Sequence, residues 1–165
     1  MSPQGQLLTQ ARVVRLASLP GMVLIAGRYE GVDERVLELE VDQELSIGDY
    51  VVSGGELPAL VLIDALARLQ PGALGDDRSS VDESFGDGLL DWPHYTRPDV
   101  YQGRQVPAVL SSGDHAAIQR WRERQSVGRT WLRRPDLIGR TPLDGERRAL
   151  LEQFLQQQRD SAGET

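Results

Sequence analysis

The stretch 45–58, LSIGDYVVSGGELP, contains the residues whose types and spacing best suit a ligand site. Gly48, Gly54 and Gly55 have no side chain, so their backbone can take positive φ and approach a bound molecule closely. Another glycine loop, residues 27–31, directly follows the apolar run 22–26; in chain order it is the first glycine loop, and residues 48–55 form the second. Because ligands of open α/β sheets bind where the strands end, two such loops indicate one pocket.

The second glycine loop also has a plainer explanation. Ser53 followed three residues later by Glu56, with Pro58 in the first turn, is a capping-box pattern, which favours a simple helix start when spacing alone is considered. A phosphate-binding hydrolase would use glycines in a similar way. The sequence contains no GxxxxGK[ST] pattern, however, which argues against that function.

The elements that must position these loops are short. The uniformly apolar run 22–26 is typical of a strand buried on both faces of a parallel sheet, and residues 49–52 predict a second short buried strand. Leu7 and Val14 share one face of a helix predicted over 6–19. The apolar residues that follow Glu56 predict a helix running to Leu69 and buried nearly all round, within the fold or between subunits.

Beyond the polar, breaker-rich stretch 75–82 the pattern becomes helical. Ser112 or Asp114 is expected to cap a helix over 115–125, Gly128 to break it, and residues 130–134 to continue to Pro135. A last helix is predicted over 144–157, with an apolar set of Leu150, Leu151, Phe154 and Leu155. Residues 96–140 hold 9 Arg against 4 acidic residues in a chain of net charge −7, so this segment is locally basic.

Four segments in one order carry a resemblance: GRYEGVDER at 27–35, SIGDYVVSGGELPALVLID at 46–64, GLLDWPHYTRP at 88–98 and GRTWLRRPDL at 128–137. They resemble the bacterial tRNA (guanine-N1)-methyltransferase family, TrmD, of the SpoU–TrmD superfamily. The resemblance covers residues 2 to about 155. It implies an α/β fold with a trefoil-knotted cofactor-binding domain over 1–74, a linker over 75–82 and a small helical tRNA-binding domain over 83–165. Relative to the family, the chain looks truncated at its N-terminus.

The resemblance further implies S-adenosylmethionine as cofactor, tRNA as partner, and an obligate homodimer with its active site at the subunit interface. The cofactor is expected to contact mainly the backbone of the two glycine loops and the turn near the start of the chain. The residues matched to these contacts are Pro3, Gly27, Glu30, Ser46, Ile47, Gly48, Asp49, Tyr50, Val51, Val52, Gly54, Gly55 and Pro58. Apart from Glu30, the acids crowded over 30–44 are typical of a solvated face.

Methylating guanine at N1 requires a base for the N1 proton and a cation for the charge that develops on O6. The positions that match the family are Glu83 as base and Arg68 as cation. The family usually has Asp where Glu83 stands, so the neighbouring Asp82 could serve as base instead. Spacing alone also allows Arg68 to form an i,i+4 salt bridge with Asp64. Asp82 and Glu83 could likewise be charged residues that only keep the linker soluble.

The basic segment is expected to bind the tRNA backbone through Arg129, Arg133 and Arg134. All 18 basic residues of the chain are Arg, whose forked guanidinium suits phosphate. Trp121 and Trp131 are expected to pack inward, and His94 and His115 to have structural roles. No His, Asp and Glu residues have metal-ligand spacing, so no metal residue is assigned; a loosely held Mg²⁺ is implied by the resemblance alone.

Together these features predict a cytoplasmic enzyme that methylates N1 of the guanosine immediately 3′ of the anticodon. The absence of Cys is consistent with a reducing compartment. The opening MSPQGQLLTQ lacks the pattern of a signal peptide, and Asp64 interrupts the longest apolar stretch, so no membrane association is expected. The alternative function is a non-catalytic tRNA-binding or dimerisation fragment of such an enzyme.

Overall fold

The computed structural model describes residues 1–73 and 83–163, with side chains up to residue 160. The chain divides into two compact units, Met1–Ser80 and Val81–Thr165. The described residues of each unit combine helices with a two-stranded sheet, so the protein is of the α/β type. The predicted linker, including Asp82, lies outside the described residues.

The described part of the first unit contains β1 (Gln6–Leu7), α1 (Gln10–Ala17), α2 (Glu34–Glu40), β2 (Leu45–Ser46) and α3 (Glu56–Ala67). The two strands pair in parallel, with Gln6 opposite Leu45 and Leu7 opposite Ser46. Leu16 of α1, Leu45 of β2 and Leu62 of α3 form one buried cluster. This cluster holds β2 between the two helices, and β2 leads directly into the second glycine loop.

Three predictions of elements in this unit are wrong. The helix predicted over 6–19 starts only at Gln10, because β1 pairs with β2 and the Thr9 side chain caps the helix by accepting from the Arg12 amide. Residues 22–26 form no strand, since no described strand lies beside them to complete a hydrogen-bonded ladder. Residues 49–52 are likewise not a strand: they lie at the surface, and Val51 is 86% exposed.

The predicted capping box at the start of α3 is also wrong. Gly55 is the N-cap and makes no side-chain cap hydrogen bond, while the Glu56 carboxylate forms an ion pair with Arg28. α3 ends at Ala67 and is buried on one side only, through Pro58, Ala59 and Leu62. Four large apolar residues of α3 are exposed instead: Leu57, Leu60, Val61 and Ile63.

The described part of the second unit contains β3 (Val100–Tyr101), β4 (Arg104–Gln105), α4 (His115–Arg133), α5 (Pro135–Arg140) and α6 (Gly145–Gly163). β3 and β4 form an antiparallel hairpin. Gln102 and Gly103 have φ of 51° and 76°, and positive φ at both central residues is the mark of a type I′ hairpin turn. The main buried cluster comprises Leu89, Val127, Leu143 and Leu151.

The cap predicted at Asp114 and the apolar set predicted for the last helix are confirmed, whereas the break at Gly128 is wrong. Asp114 caps α4 by accepting from the Ala117 amide at 3.0 Å, and Asp144 precedes α6 and accepts from the Arg147 amide at 2.8 Å. α4 continues through Gly128, because the missing side chain lets α4 approach Phe154 of α6. No helix within the described ranges is both long enough and apolar enough to span a membrane.

Candidate active site

The first unit contains a cavity of about 60 Å³ beside β2 and the start of α3. Nine of the thirteen residues predicted to contact the cofactor line this cavity. They are Pro3, Ser46, Ile47, Gly48, Tyr50, Val52, Gly54, Gly55 and Pro58. Met1, Ser2 and Leu45 complete the wall. Backbone and uncharged side chains therefore form the whole lining, which we call the cradle.

The two glycine loops meet at one edge of the cradle. The Gly55 amide donates a hydrogen bond of 2.9 Å to the Gly27 carbonyl, and Arg28 and Gly54 form an antiparallel bridge. A Cβ placed on Gly55 would lie 2.7 Å from the Ala26 Cα. Since that neighbour is backbone and cannot rotate away, the close approach of the loops requires glycine at position 55.

The turn after β2 is held by local hydrogen bonds. The Ser46 hydroxyl accepts from the Gly48 amide and donates to the Gly48 carbonyl, both at 3.2 Å. Gly48 has φ of 148°, and a Cβ there would lie 2.5 Å from the Tyr50 ring. Only glycine therefore fits this position without strain, and the Tyr50 ring closes the turn over it.

Gly27 and Glu30 line a second cavity of about 280 Å³, which shares Met1, Ser2 and Pro3 with the cradle. Glu34 and Glu44 also line this second cavity. The sequence predicts that both belong to a solvated acidic face. The density of acids over 30–44 is the feature that could have indicated an acidic cavity. Asp49 and Val51 line neither cavity, and both are exposed.

The chemistry of the two cavities fits S-adenosylmethionine. The cradle offers apolar walls from Ile47, Val52 and Pro58 together with the backbone of three glycines. This lining is chemically suited to an uncharged heterocycle such as adenine, although its volume of about 60 Å³ is smaller than that of a whole ligand pocket. Carboxylates such as Glu30 line the adjoining cavity, and they suit the positive sulfonium and amino groups. The matched residues thus supply an uncharged region next to an acidic one.

An ion pair between Arg28 and Glu56 joins the first glycine loop to the first turn of α3. The hydrogen bond from Arg28 lowers the pKa of the Glu56 carboxyl below its ordinary value. Since the folded pKa is depressed, the pair contributes fully above the unfolded pKa of Glu, and its contribution is lost as the pH falls through the lowered value. Both side chains are largely exposed, so solvent weakens the pair.

The residues predicted to be catalytic lie in different units. Arg68, in the first unit, is half-buried at the C-terminal end of α3, where its amide donates to the Asp64 carbonyl at 3.1 Å. Glu83, in the second unit, is exposed and lines a cavity of about 230 Å³. Asp82 lies outside the described residues. Other polar groups on the wall of this cavity are Asp87, Asp91, Gln119, Glu123, Ser126 and Arg147.

α4 holds the backbone beside the Glu83 cavity in place. The Ser126 hydroxyl donates to the Leu90 carbonyl at 2.6 Å, and the Leu90 amide donates to the Thr130 hydroxyl at 2.9 Å. The Thr130 hydroxyl in turn donates to the Ser126 carbonyl at 2.7 Å. Two helix side chains thereby satisfy both backbone groups of Leu90, and the sequence contained no signal for this pairing.

The His94 ring Nε2 lies 2.7 Å from an Asp91 carboxylate oxygen, so this side chain is hydrogen-bonded although it is largely exposed. Trp121 is buried as predicted, but Trp131 is 44% exposed, so its predicted inward packing is wrong. Trp131 lies near the C-terminal end of α4. Inward packing thus holds for one tryptophan of this helix and not for the other.

The three arginines predicted to bind RNA differ in their surroundings. Arg133 is exposed at the end of α4. Arg134 is half-buried and makes two hydrogen bonds of 2.8 Å to Asp136, which lower the pKa of the Asp136 carboxyl. Arg129 is half-buried, and its Nε has no hydrogen-bond partner among residues 1–73 and 83–160. Of the three, Arg133 has the most accessible side chain.

A metal-binding cluster is not formed by the residues that the structure describes: no three His, Asp or Glu side chains among them lie close enough together to hold an ion. The Mg²⁺ implied by the resemblance therefore gains no support from the described residues.

Comparisons with known proteins give one consistent family. A family model described as tRNA (Guanine-1)-methyltransferase TrmD matches residues 1–140. The tRNA (guanine-N(1)-)-methyltransferase of Chromohalobacter salexigens is 57% identical over 161 residues, which is 98% of this chain and 60% of the relative. The proteins of the same name from Halorhodospira halophila and Stutzerimonas stutzeri are 59% and 60% identical, and 61% and 64% of their lengths are covered. The chain thus spans about three fifths of the length of these relatives.

Proposed function

Because this chain belongs to the tRNA (guanine-1)-methyltransferase family, TrmD, we propose that it methylates N1 of the guanosine immediately 3′ of the anticodon in tRNA. The observation that carries this proposal is the cradle, in which the glycine loop 46–55 reaches the backbone of the first loop at Ala26 and Gly27. Such a backbone-lined recess suits a cofactor recognised by main-chain groups.

S-adenosylmethionine supplies an electrophilic methyl group when it is bound. Gly48, Gly54 and Gly55 allow the main chain to approach its adenine, while Ile47, Val52 and Pro58 exclude water from the ring. Glu30 in the adjoining cavity balances the positive charge of the cofactor. Of the predicted contacts, Asp49 and Val51 have the weakest support, because both lie outside the two cavities.

Glu83 is the general base in this proposal: its carboxylate accepts the N1 proton of guanine, which leaves a nitrogen lone pair to form the new bond. Arg68 donates hydrogen bonds to O6, where negative charge develops as the proton leaves. Asp82 is the alternative base. The cavity beside Glu83, with Trp92 and Gln119 on its wall, supports placing the substrate base there.

The homodimer, the trefoil knot and the tRNA-binding role of the second unit belong to the same proposal. Exposed Leu57, Leu60, Val61 and Ile63 give α3 an apolar face that a second copy would cover. A dimer whose active site lies at the subunit interface would also let Arg68 of one copy serve Glu83 of the other. A cytoplasmic location is proposed with this function, since the chain has no Cys and its substrate is tRNA.

The test is methyl transfer by the full chain from S-adenosylmethionine labelled in the methyl group. One tRNA transcript carries guanosine immediately 3′ of the anticodon, and a matched transcript carries adenosine there. Labelled N1-methylguanosine is expected from the first transcript only, and calorimetry is expected to show cofactor binding. A chain that binds tRNA but neither binds the cofactor nor transfers methyl groups would instead have the non-catalytic, tRNA-binding function.

The dimer is tested separately by light scattering coupled to size-exclusion chromatography. Ile63→Glu places a charge on the exposed apolar face of α3 and is expected to give a monomer. Gln70→Glu adds the same charge just beyond the helix, at an exposed position outside that face, and should leave the dimer intact. Monomers in both variants and in the unmodified chain would contradict the proposed assembly.

A further inference from the structure

The second unit carries a groove of about 400 Å³, which shares Trp92 with the Glu83 cavity and is otherwise lined by residues that have no role in the proposed reaction. Its wall is formed by residues 92–99, the short turn 108–111 and one face of α4. The side chains that matter are Trp92, His94, Tyr95, Arg97, Asp99 and Arg122. The volume falls within the range of small-ligand pockets. We call it the aromatic groove.

Aromatic and guanidinium groups give this groove its stacking surface. The Arg122 guanidinium carbon lies 4.9 Å from the centre of the Trp92 ring, and the Trp92 and His94 ring centres are 6.0 Å apart. Tyr95 is exposed and is anchored by contact with the buried Trp121 at 6.3 Å. The His94 and Tyr95 rings are exposed and accessible to a planar ligand, while the half-buried Trp92 ring packs against Arg122.

The groove contains both hydrogen-bond donors and hydrogen-bond acceptors. Arg97 is exposed, and the stacked Arg122 has an Nε without a hydrogen-bond partner in the described part of the chain. Asp99 is an acceptor, while Thr96 and Ser111 contribute hydroxyls. The lining thus contains two guanidinium groups and one carboxylate, and the surrounding segment is basic overall. An anionic ligand whose ring edge can form hydrogen bonds has complementary partners there.

We propose that the aromatic groove binds an unstacked nucleobase of single-stranded RNA, together with its phosphate. The base stacks among the aromatic rings, its edge donates to Asp99, and Arg97 or Arg122 holds the phosphate. The inference rests on the proposed function in one respect: the RNA is the substrate tRNA, and this nucleotide is a different one from the methylated guanosine. A peptide would use the apolar walls, but it would leave the two guanidinium groups without phosphate.

The experiment titrates the full chain with a short single-stranded oligoribonucleotide that carries 2-aminopurine at its centre, and with a matched oligomer in which that position is abasic. Stacking is expected to quench the 2-aminopurine fluorescence. Trp92→Leu should weaken binding of the first oligomer about 5- to 150-fold, the usual effect of losing one base–aromatic stack, and Arg97→Gln should reduce the salt dependence. The control is Trp131→Leu, which removes an exposed tryptophan of the same unit outside the groove.

Equal affinities for the two oligomers, or unchanged affinity in both Trp92→Leu and Arg97→Gln, would overturn the inference. Arg97→Gln alters an exposed side chain and so keeps the test valid if Trp92→Leu fails to fold. Failure of the two proposals is distinguishable. RNA binding that depends on Arg97 as well as Trp92, without any methyl transfer, leaves the groove assigned and refutes the methyltransferase. Methyl transfer with RNA binding that depends on neither residue supports the methyltransferase and refutes the groove.

Discussion

Gly128 of α4 lies directly against the ring of Phe154 of α6, and a Cβ added to Gly128 would overlap that ring. Phe154 is buried, so its ring has little room to move away. A glycine that the sequence pattern presents as a helix break is therefore a packing position, where the backbone of one helix meets a side chain of the other.

We expect Gly128→Ala to destabilise the second unit by about 1–3 kcal/mol, because the extra methyl group overpacks a tight contact. Gly139→Ala is the matched control, since no atom lies near the added Cβ and the residue is within α5. That change should be neutral or stabilising by up to about 1 kcal/mol. Urea unfolding of both variants measures the difference; equal stabilities would show that the helices can move apart freely.

Thr130 is fully buried and accepts the Leu90 amide. Thr130→Val keeps the shape of the side chain but leaves that amide unpaired, so we expect a loss of about 1–3 kcal/mol in the free energy of unfolding. Thr96→Val at an exposed position should change it by less than about 0.5 kcal/mol. Methyl transfer should also fall in Thr130→Val, because the backbone beside the Glu83 cavity loses its attachment to α4. If both variants unfold alike, the hydrogen bond contributes nothing.

Gly55→Ala is expected to abolish cofactor binding, because the added Cβ would meet the backbone of Ala26 and force the two glycine loops apart. Gly21→Ala is the control: its Cβ would meet no atom within 4 Å, and Gly21 lies outside the cradle. Calorimetric titration with S-adenosylmethionine provides the measurement, with thermal unfolding as a check on folding. Micromolar affinity retained in a folded Gly55→Ala protein would contradict the cradle as the cofactor site.

Glu83→Gln should lower single-turnover methyl transfer by about two to four orders of magnitude, since the amide cannot accept the N1 proton. Binding of cofactor and tRNA should barely change. Glu123→Gln, on the wall of the same cavity, controls for the loss of a negative charge there. If Asp82→Asn is inactive and Glu83→Gln is active, Asp82 is the base; activity in both variants would refute the carboxylate mechanism.

Arg133→Ala and Asp136→Asn should shift tRNA affinity in opposite directions. The first removes an exposed phosphate partner and should flatten the plot of log affinity against log salt by about 0.7–0.9. The second releases Arg134 from its two hydrogen bonds and should strengthen binding. Arg159→Ala, in α6 and outside the basic segment, is the control. Unchanged tRNA affinity in both variants would show that the basic segment is only a solvated surface and does not bind tRNA.

Local chemistry explains why much of the candidate site could be predicted. The resemblance assigns residues 46–58 to the cofactor, and because they lie close together along the chain, a turn, a glycine pair and a helix start bring most of them to one cavity. The predicted cap at Asp114 is local in the same way, since its side chain accepts from an amide three residues away. Nine of the predicted contacts therefore share one cavity.

Pairing between distant segments could not be predicted in this way. The strand expected over 22–26 requires a neighbouring strand, and an apolar run by itself does not specify one. The hydrogen bond of Leu90 with Thr130 joins residues 40 positions apart, and the ion pair of Arg28 with Glu56 joins residues 28 apart. Burial depends likewise on neighbours, which is why Trp121 packs inward and Trp131 on the same helix does not.

By itself, the sequence determined the family, through four segments that match it, and the cap of α4 at Asp114, because a cap depends on residues within a few positions along the chain. Tertiary structure decided how the two glycine loops meet, why α4 continues through Gly128 and which aromatic residues stay exposed. The physical reason is that packing and long-range hydrogen bonds depend on segments whose approach no local pattern encodes.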